Sequence, residues 1–204
     1  MSIKAVVFDY GNVISLTQDP KVMDELAGRV GVEREKFASA LWSLRGDYDL
    51  GIISAKEYFK TVLSSLAVFM DEKSIEEIIE IDTNSWKNIN TETEALMKEI
   101  KAAGYLLGIL SNVPHEFLAW AKKNLPVFSL PHVGLYSCEV NLVKPDEAIY
   151  KKLLSMLGVE APELVFFDDN AENIAGAKAL GVEAILWKDV ESARRELISL
   201  GVKL

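Results

Sequence analysis

Four polar clusters in this chain carry side chains that could do chemistry together: Asp9, the pair Ser111-Asn112, Lys144, and the run Asp168-Asp169-Asn170. Singly, each has an ordinary explanation. Asp9 could cap a turn, Ser111 and Asn112 could cap a helix beginning at Pro114, and Lys144 could be a solvated lysine before a helix. Asp168 to Asn170 could be a helix start with favourable charge. Four independent caps are a poor account of the set. Three carboxylates that converge repel one another unless a cation sits among them. A hard, oxygen-seeking ion such as Mg²⁺ would serve, with a substrate phosphate completing its shell. The chemistry this suggests is phosphoryl transfer. Asp9 would attack phosphorus and form an aspartyl-phosphate, while Ser111 and nearby backbone N–H groups would hold the phosphate oxygens. Lys144 would offset charge as the bond breaks.

Such convergence needs a scaffold that brings distant segments to one rim. Short apolar runs recur at 5–8, 105–110, 132–136, 163–167 and 183–187. Most are continuous rather than alternating, as in strands buried on both faces of a parallel sheet. Helix signals separate them. Thr91 with Glu94 reads as a capping box, Gly104, Gly158 and Gly181 as helix stops, and Pro114 and Pro145 as first-turn prolines. Strands alternating with helices predict a doubly wound, Rossmann-like α/β fold with a mostly parallel sheet. Asp9, Ser111 and Asp168 then fall at carboxyl ends of strands, where open α/β sheets bind ligands.

One connection is far too long for a βα unit. Between the first two strands the sequence predicts helices from Asp19-Pro20 to about Val30, over 33–43, from Ser54 to about Leu66 on a Ser54/Glu57 capping box, and over 72–83. The stretch "RGDYDLGI" at 45–52 reads as a loop. The expected division is a core of residues 1–15 and 87–204 and a helical insertion of residues 16–86. An insertion at that point can cover the site and exclude water.

Bulk properties narrow the partners. The chain has 204 residues, half of them hydrophobic, enough for a sizeable core. Its net charge of −9 lacks the basic face expected of a nucleic-acid binder. A local site can still take a small anion. The single cysteine, Cys138, forms no internal disulfide, suits a reducing cytosol, and reads as a small half-buried residue. No apolar run approaches a membrane span, and the N-terminus does not read as a signal peptide, so a cytoplasmic protein is expected. Nothing here speaks to oligomeric state. Trp42, Trp86, Trp120 and Trp187 read as packing residues, and Tyr10 as either core or substrate wall.

On its motifs the sequence resembles the haloacid dehalogenase superfamily of phosphohydrolases. "VVFDYGNVI", "GILSN", "LVKPD" and "LVFFDDNAENI" stand in the order and spacing of that superfamily's four motifs. The insertion is similar to its C1-type helical cap. Within the superfamily the chain most resembles a subgroup that includes sugar-phosphate phosphatases such as an α-glucose-1-phosphatase, in which a cap pattern matches Gly51, Ile53, Ser54 and Phe59. The resemblance implies Asp9 as nucleophile and metal ligand, and Gly11 as a ligand through its backbone carbonyl. It implies Ser111 and Asn112 as phosphate-binding, Lys144 as the neutralising lysine, and Asp168 and Asp169 as acids of which one or both reach Mg²⁺, supported by Asn173. The implied activity is a Mg²⁺-dependent phosphatase for a small phosphorylated metabolite, a sugar phosphate by the subgroup.

One departure stands out. Most phosphatases of the superfamily carry Asp where this chain has Gly11, and that acid protonates the leaving group. General acid–base help is worth roughly 10²–10⁴-fold. Asp47, Asp49 and His115 are the candidates to supply it, unless Asp47 and Asp49 are only a solvated turn and His115 only an exposed helical residue. Three other readings compete. A non-catalytic phospho-ligand or interaction module would account for Gly11. A 2-haloacid dehalogenase would use Asp9 against carbon, but those enzymes have the tyrosine two residues after the aspartate, whereas Tyr10 follows Asp9 directly. A two-component receiver domain has its acids and lysine in the opposite order.

Overall fold

The fold is described from a computed structural model over residues 2–204. β1 (Ala5–Phe8) is followed by α1 (Pro20–Val30), α2 (Arg34–Ser43), the one-turn α3 (Gly46–Asp49), α4 (Ala55–Ser65) and α5 (Glu72–Ser85). Then come α6 (Thr91–Ala102), β2 (Leu106–Ser111), α7 (His115–Asn124), β3 (Val133–Tyr136) and the one-turn α8 (Ser137–Val140). α9 (Glu147–Leu157), β4 (Leu164–Asp168), α10 (Ala171–Ala179), β5 (Glu183–Leu186) and α11 (Val190–Ser199) complete the chain. The five strands form one parallel sheet in the order β3-β2-β1-β4-β5.

The continuous apolar strands are explained by burial on both faces. Along β1, Val6 and Phe8 join one apolar layer while Ala5 and Val7 join the other. β4 alternates likewise, with Val165 and Phe167 on the first side and Leu164 and Phe166 on the second. Leu96, Met97 and Ile100 of α6, Phe117 and Leu118 of α7 and Leu197 of α11 cover the first face. Ile149, Tyr150 and Leu153 of α9 and Ile174 and Ala177 of α10 cover the second. Helices α1–α5 gather round an apolar cluster of their own, centred on Leu26, Phe37, Leu41, Tyr58, Phe59 and Ile78. The segments entering and leaving this group lie side by side. Ser15 and Ile89 form an antiparallel bridge, flanked by hydrogen bonds from Leu16 N to Asn88 O and from Asn90 N to Ile14 O.

Several local expectations need correction. Asn90, not Thr91, caps α6, its side chain accepting from the Glu92 and Thr93 N–H groups. Pro114 is the residue before α7, and Pro145 precedes α9 by two residues, so neither lies in a first turn. The stretch 45–52 is not simply a loop. It contains α3, closed by the turn to Gly51. Cys138 is buried rather than half-buried. The Ser54/Glu57 capping box is present. No helix among the described residues is long and apolar enough to cross a membrane.

Candidate active site

Strand order places the site. β2 and β3 lie to one side of β1 and β4 and β5 to the other, so connections leave the β1 end in opposite directions and open a crevice there. Asp9 directly follows β1, Ser111 ends β2 and Asp168 ends β4. Carboxylate oxygens of Asp9, Asp168 and Asp169 lie within 4.8 Å of one another.

Lys144 enters this group from beneath. It is only 4% exposed. Its ammonium contacts Asp9 Oδ1 at 2.8 Å and Asp168 Oδ2 at 2.6 Å, and donates to the Leu110 carbonyl at 3.1 Å. Burial alone would lower its pKa, but the two carboxylates outweigh burial and hold it above its ordinary range. Burial raises the Asp9 carboxyl to about 7, with Lys144 pulling it down and Asp168 pushing it up by lesser amounts.

The two acids at the end of β4 differ sharply. Asp168 is fully buried and its oxygens are engaged. Oδ1 accepts from the Asn170 N–H, Oδ2 from Lys144, and Asn173 Nδ2 donates to both. Asp169 is exposed and takes one hydrogen bond, from Asn12 Nδ2 at 2.8 Å. Asn112 also differs from its expected role. Its amide clasps the Lys144 backbone in both directions, accepting from N–H and donating to the carbonyl at 2.9 Å each. It positions the lysine, and the buried Ser111 is left on the cavity wall.

At Gly11 the chain turns with φ −62° and ψ 129°, followed by Asn12 at φ 56°. A Cβ at Gly11 would meet Trp86 at 3.8 Å and Asp9 at 3.9 Å, ordinary contacts. The glycine is therefore not forced by lack of space. Tyr10 turns into the core against Phe117 and Phe128, and its hydroxyl donates to the Trp86 carbonyl.

Above these groups lies a cavity of about 480 Å³, roofed by Trp42, Arg45, Tyr48, Asp49, Asp82 and Trp86 from the inserted helices. Of the three candidates for proton transfer, only Asp49 lines it. Asp47 is exposed on the opposite side of α3, because neighbours two apart on a helix point about 200° apart. His115 is exposed and packs beside Gly51, where its ring leaves no room for a Cβ. Arg45 and Asp82 also line the cavity, although their sequence context does not single them out. Asp82 sat in a helix rich in acids, and nothing in the pattern marked it as the one turned inward.

A parallel sheet with clustered carboxylates and one buried lysine at its switch point defines an α/β enzyme scaffold that works at strand ends. The chain belongs to the haloacid dehalogenase-like hydrolases, whose family model matches residues 3–181. It is 27% identical over 218 residues to a protein named as a phosphatase in Mycobacterium tuberculosis, covering all of this chain and 98% of that one. It is also 29% identical over 104 residues to an (S)-2-haloacid dehalogenase from Burkholderia cepacia, covering half of this chain and 45% of that one. Its fold matches a HAD family enzyme from Bacteroides thetaiotaomicron, solved with magnesium and inorganic phosphate. The TM-score is 0.73 at 21% identity, over 92% of this chain and 95% of that one.

Proposed function

We propose that the protein is a Mg²⁺-dependent phosphatase for a small phosphorylated metabolite, with Asp9 as nucleophile and residues 16–86 as a cap over the site. The observation that carries this reading is the meeting of Asp9, Asp168 and Asp169, the first two of them bridged by the buried Lys144. The donors fit a hard cation, being carboxylate oxygens with no nitrogen or sulfur among them. Asp9, Asp169 and the Gly11 carbonyl would hold Mg²⁺, which when bound supplies positive charge against the carboxylates and the incoming phosphate. Asp168, its oxygens already engaged, serves to fix Lys144.

In the reaction an Asp9 oxygen bonds to phosphorus as the bond to the leaving oxygen breaks. Water then cleaves the aspartyl-phosphate and releases inorganic phosphate. Ser111 and the backbone N–H groups after β2 hold phosphate oxygens, and Lys144 offsets charge on the nucleophile. The leaving oxygen takes its proton from Asp49. Burial raises that carboxyl against the pull of Arg45, so it keeps its proton closer to neutrality than an exposed aspartate does. A dehalogenase would leave the exposed Asp169 beside Asp9 without a task.

The test is phosphate release from a panel of phosphorylated metabolites, with and without Mg²⁺, beside Asp9→Asn. We expect Mg²⁺-dependent turnover that the variant lacks. No release above the variant would favour a phospho-ligand-binding module, and metal-independent chloride release from haloacids would favour a dehalogenase.

A further inference from the structure

We propose that the cap wall formed by Arg45, Asp49 and Asp82 selects phosphate esters whose leaving group is an uncharged, hydroxyl-bearing moiety and rejects those carrying a carboxylate or second phosphate. This rests on the phosphatase reading and assigns the other half of the same cavity.

Three observations carry it. The first is room. The cavity of about 480 Å³ is in the range of sites for whole small ligands, and the core residues account only for its phosphate end. The second is charge. The roof holds one cation, Arg45, and that cation is already matched. Its Nε donates to Asp49 at 3.1 and 3.3 Å, and Nη1 lies 3.9 Å from Asp82 Oδ2. The guanidinium is fixed further by the faces of Trp42 and Tyr48, 5.2 and 5.5 Å away. A second anion on the substrate would meet two acids and no spare positive charge. Burial raises both acids above their ordinary range. Even with Asp49 protonated, the wall is neutral rather than cationic.

The third is unmet hydrogen-bonding capacity. Asp82 is only 4% exposed, yet its Oδ1 has no hydrogen-bond partner, and neither have Arg45 Nη1 and the Trp86 indole N–H. Buried polar groups left without partners are costly, which makes a ligand that completes them favourable. One acceptor beside two donors suits a hydroxyl, which donates and accepts at once. The three atoms are shielded in this arrangement, and a ligand would reach them only by widening the loose 3.9 Å contact between Arg45 and Asp82. Trp42, 48% exposed at the cavity wall, adds a flat apolar surface for the carbon side of such a group.

The experiment compares kcat/KM for an aldose 1-phosphate, phosphoglycolate, a sugar bisphosphate and p-nitrophenyl phosphate, in the native protein and in Asp82→Asn. The native protein should favour the aldose 1-phosphate over phosphoglycolate and the bisphosphate by at least about tenfold. Asp82→Asn leaves Arg45 undermatched, so the ratio of aldose 1-phosphate to phosphoglycolate should fall about tenfold. A ratio is indifferent to partial misfolding. A native preference for the charged esters, or a ratio unmoved by Asp82→Asn, overturns the proposal. Binding of the same esters to Asp9→Asn with Mg²⁺, by calorimetry, reads the preference without turnover. Failure to hydrolyse p-nitrophenyl phosphate or any other ester overturns the phosphatase reading, while the binding ratio still decides the subsite.

Discussion

In the proposed reaction a proton and a metal ion would compete for the Asp9 carboxylate. With burial holding its pKa at about 7, the carboxyl is mostly protonated below that pH and ionised above it. A metal ligand must be ionised, so Mg²⁺ binding releases the proton. Apparent Mg²⁺ affinity, measured by calorimetry, should be steady above neutrality and fall by roughly tenfold per unit as pH drops below 7. Gly11 gives a prediction of the opposite kind. Its φ of −62° suits any L-residue and a Cβ there meets nothing closer than 3.8 Å. Gly11→Ala should therefore unfold at the same temperature or slightly higher, gaining up to about 1 kcal/mol from the unfolded state. Asp9, Lys144 and the acid pair were legible in the sequence because the parallel sheet fixes where strand ends go. The choice between Asp168 and Asp169 was not. Which acid has its oxygens engaged depends on Lys144 and Asn173 arriving from other segments.

Element packing sets how Lys144 is presented. Gly176 lies in the middle of α10, where glycine ordinarily weakens a helix. A Cβ there would stand 2.6 Å from the Pro145 carbonyl and 3.0 Å from its ring, so the bare backbone lets α10 press against the segment that carries Lys144. Gly176→Ala should lower stability by about 1–3 kcal/mol by overpacking, read from denaturant midpoints, despite the better helix propensity of alanine. The strands were readable because apolar continuity and doubly wound topology go together. The inserted helices were readable as elements, since their end-capping residues and periodicity are local. Their facing was not, and neither was α3. Four residues leave too little periodicity to tell helix from loop, and so Asp47 and Asp49 looked equivalent.

Across the whole molecule, one buried hydroxyl ties the loop after β2 to the roof of the cavity. Ser137, fully buried at the start of α8, accepts from the Val113 N–H beside the Ser111-Asn112 loop at 2.8 Å. It donates to the Asp49 carbonyl of α3. Asn141 to the Leu50 carbonyl and Ala55 N–H to Glu116 add two further ties between inserted helices and core. Ser137→Ala leaves the Val113 N–H without its partner, at a cost of about 1–3 kcal/mol. Its thermal midpoint should fall. kcat for a phosphate ester should fall as well as KM rise, because the residue whose carbonyl Ser137 holds is Asp49, the proposed proton donor.

The antiparallel bridge between Ser15 and Ile89 has a consequence for how the chain was assembled. The backbone departs at Leu16 and returns at Asn88, side by side. The entropy of closing that excursion depends only weakly on its length. To the sheet, then, everything from 17 to 87 counts as little more than a tight turn. Loop lengths there can change at little entropic cost to strand order, so long as the ties from Asp49, Leu50 and Ala55 to the core are kept. What the molecule acts on can change with the insertion while the strand-end carboxylates stay, and the proton donor proposed at Asp49 changes with it.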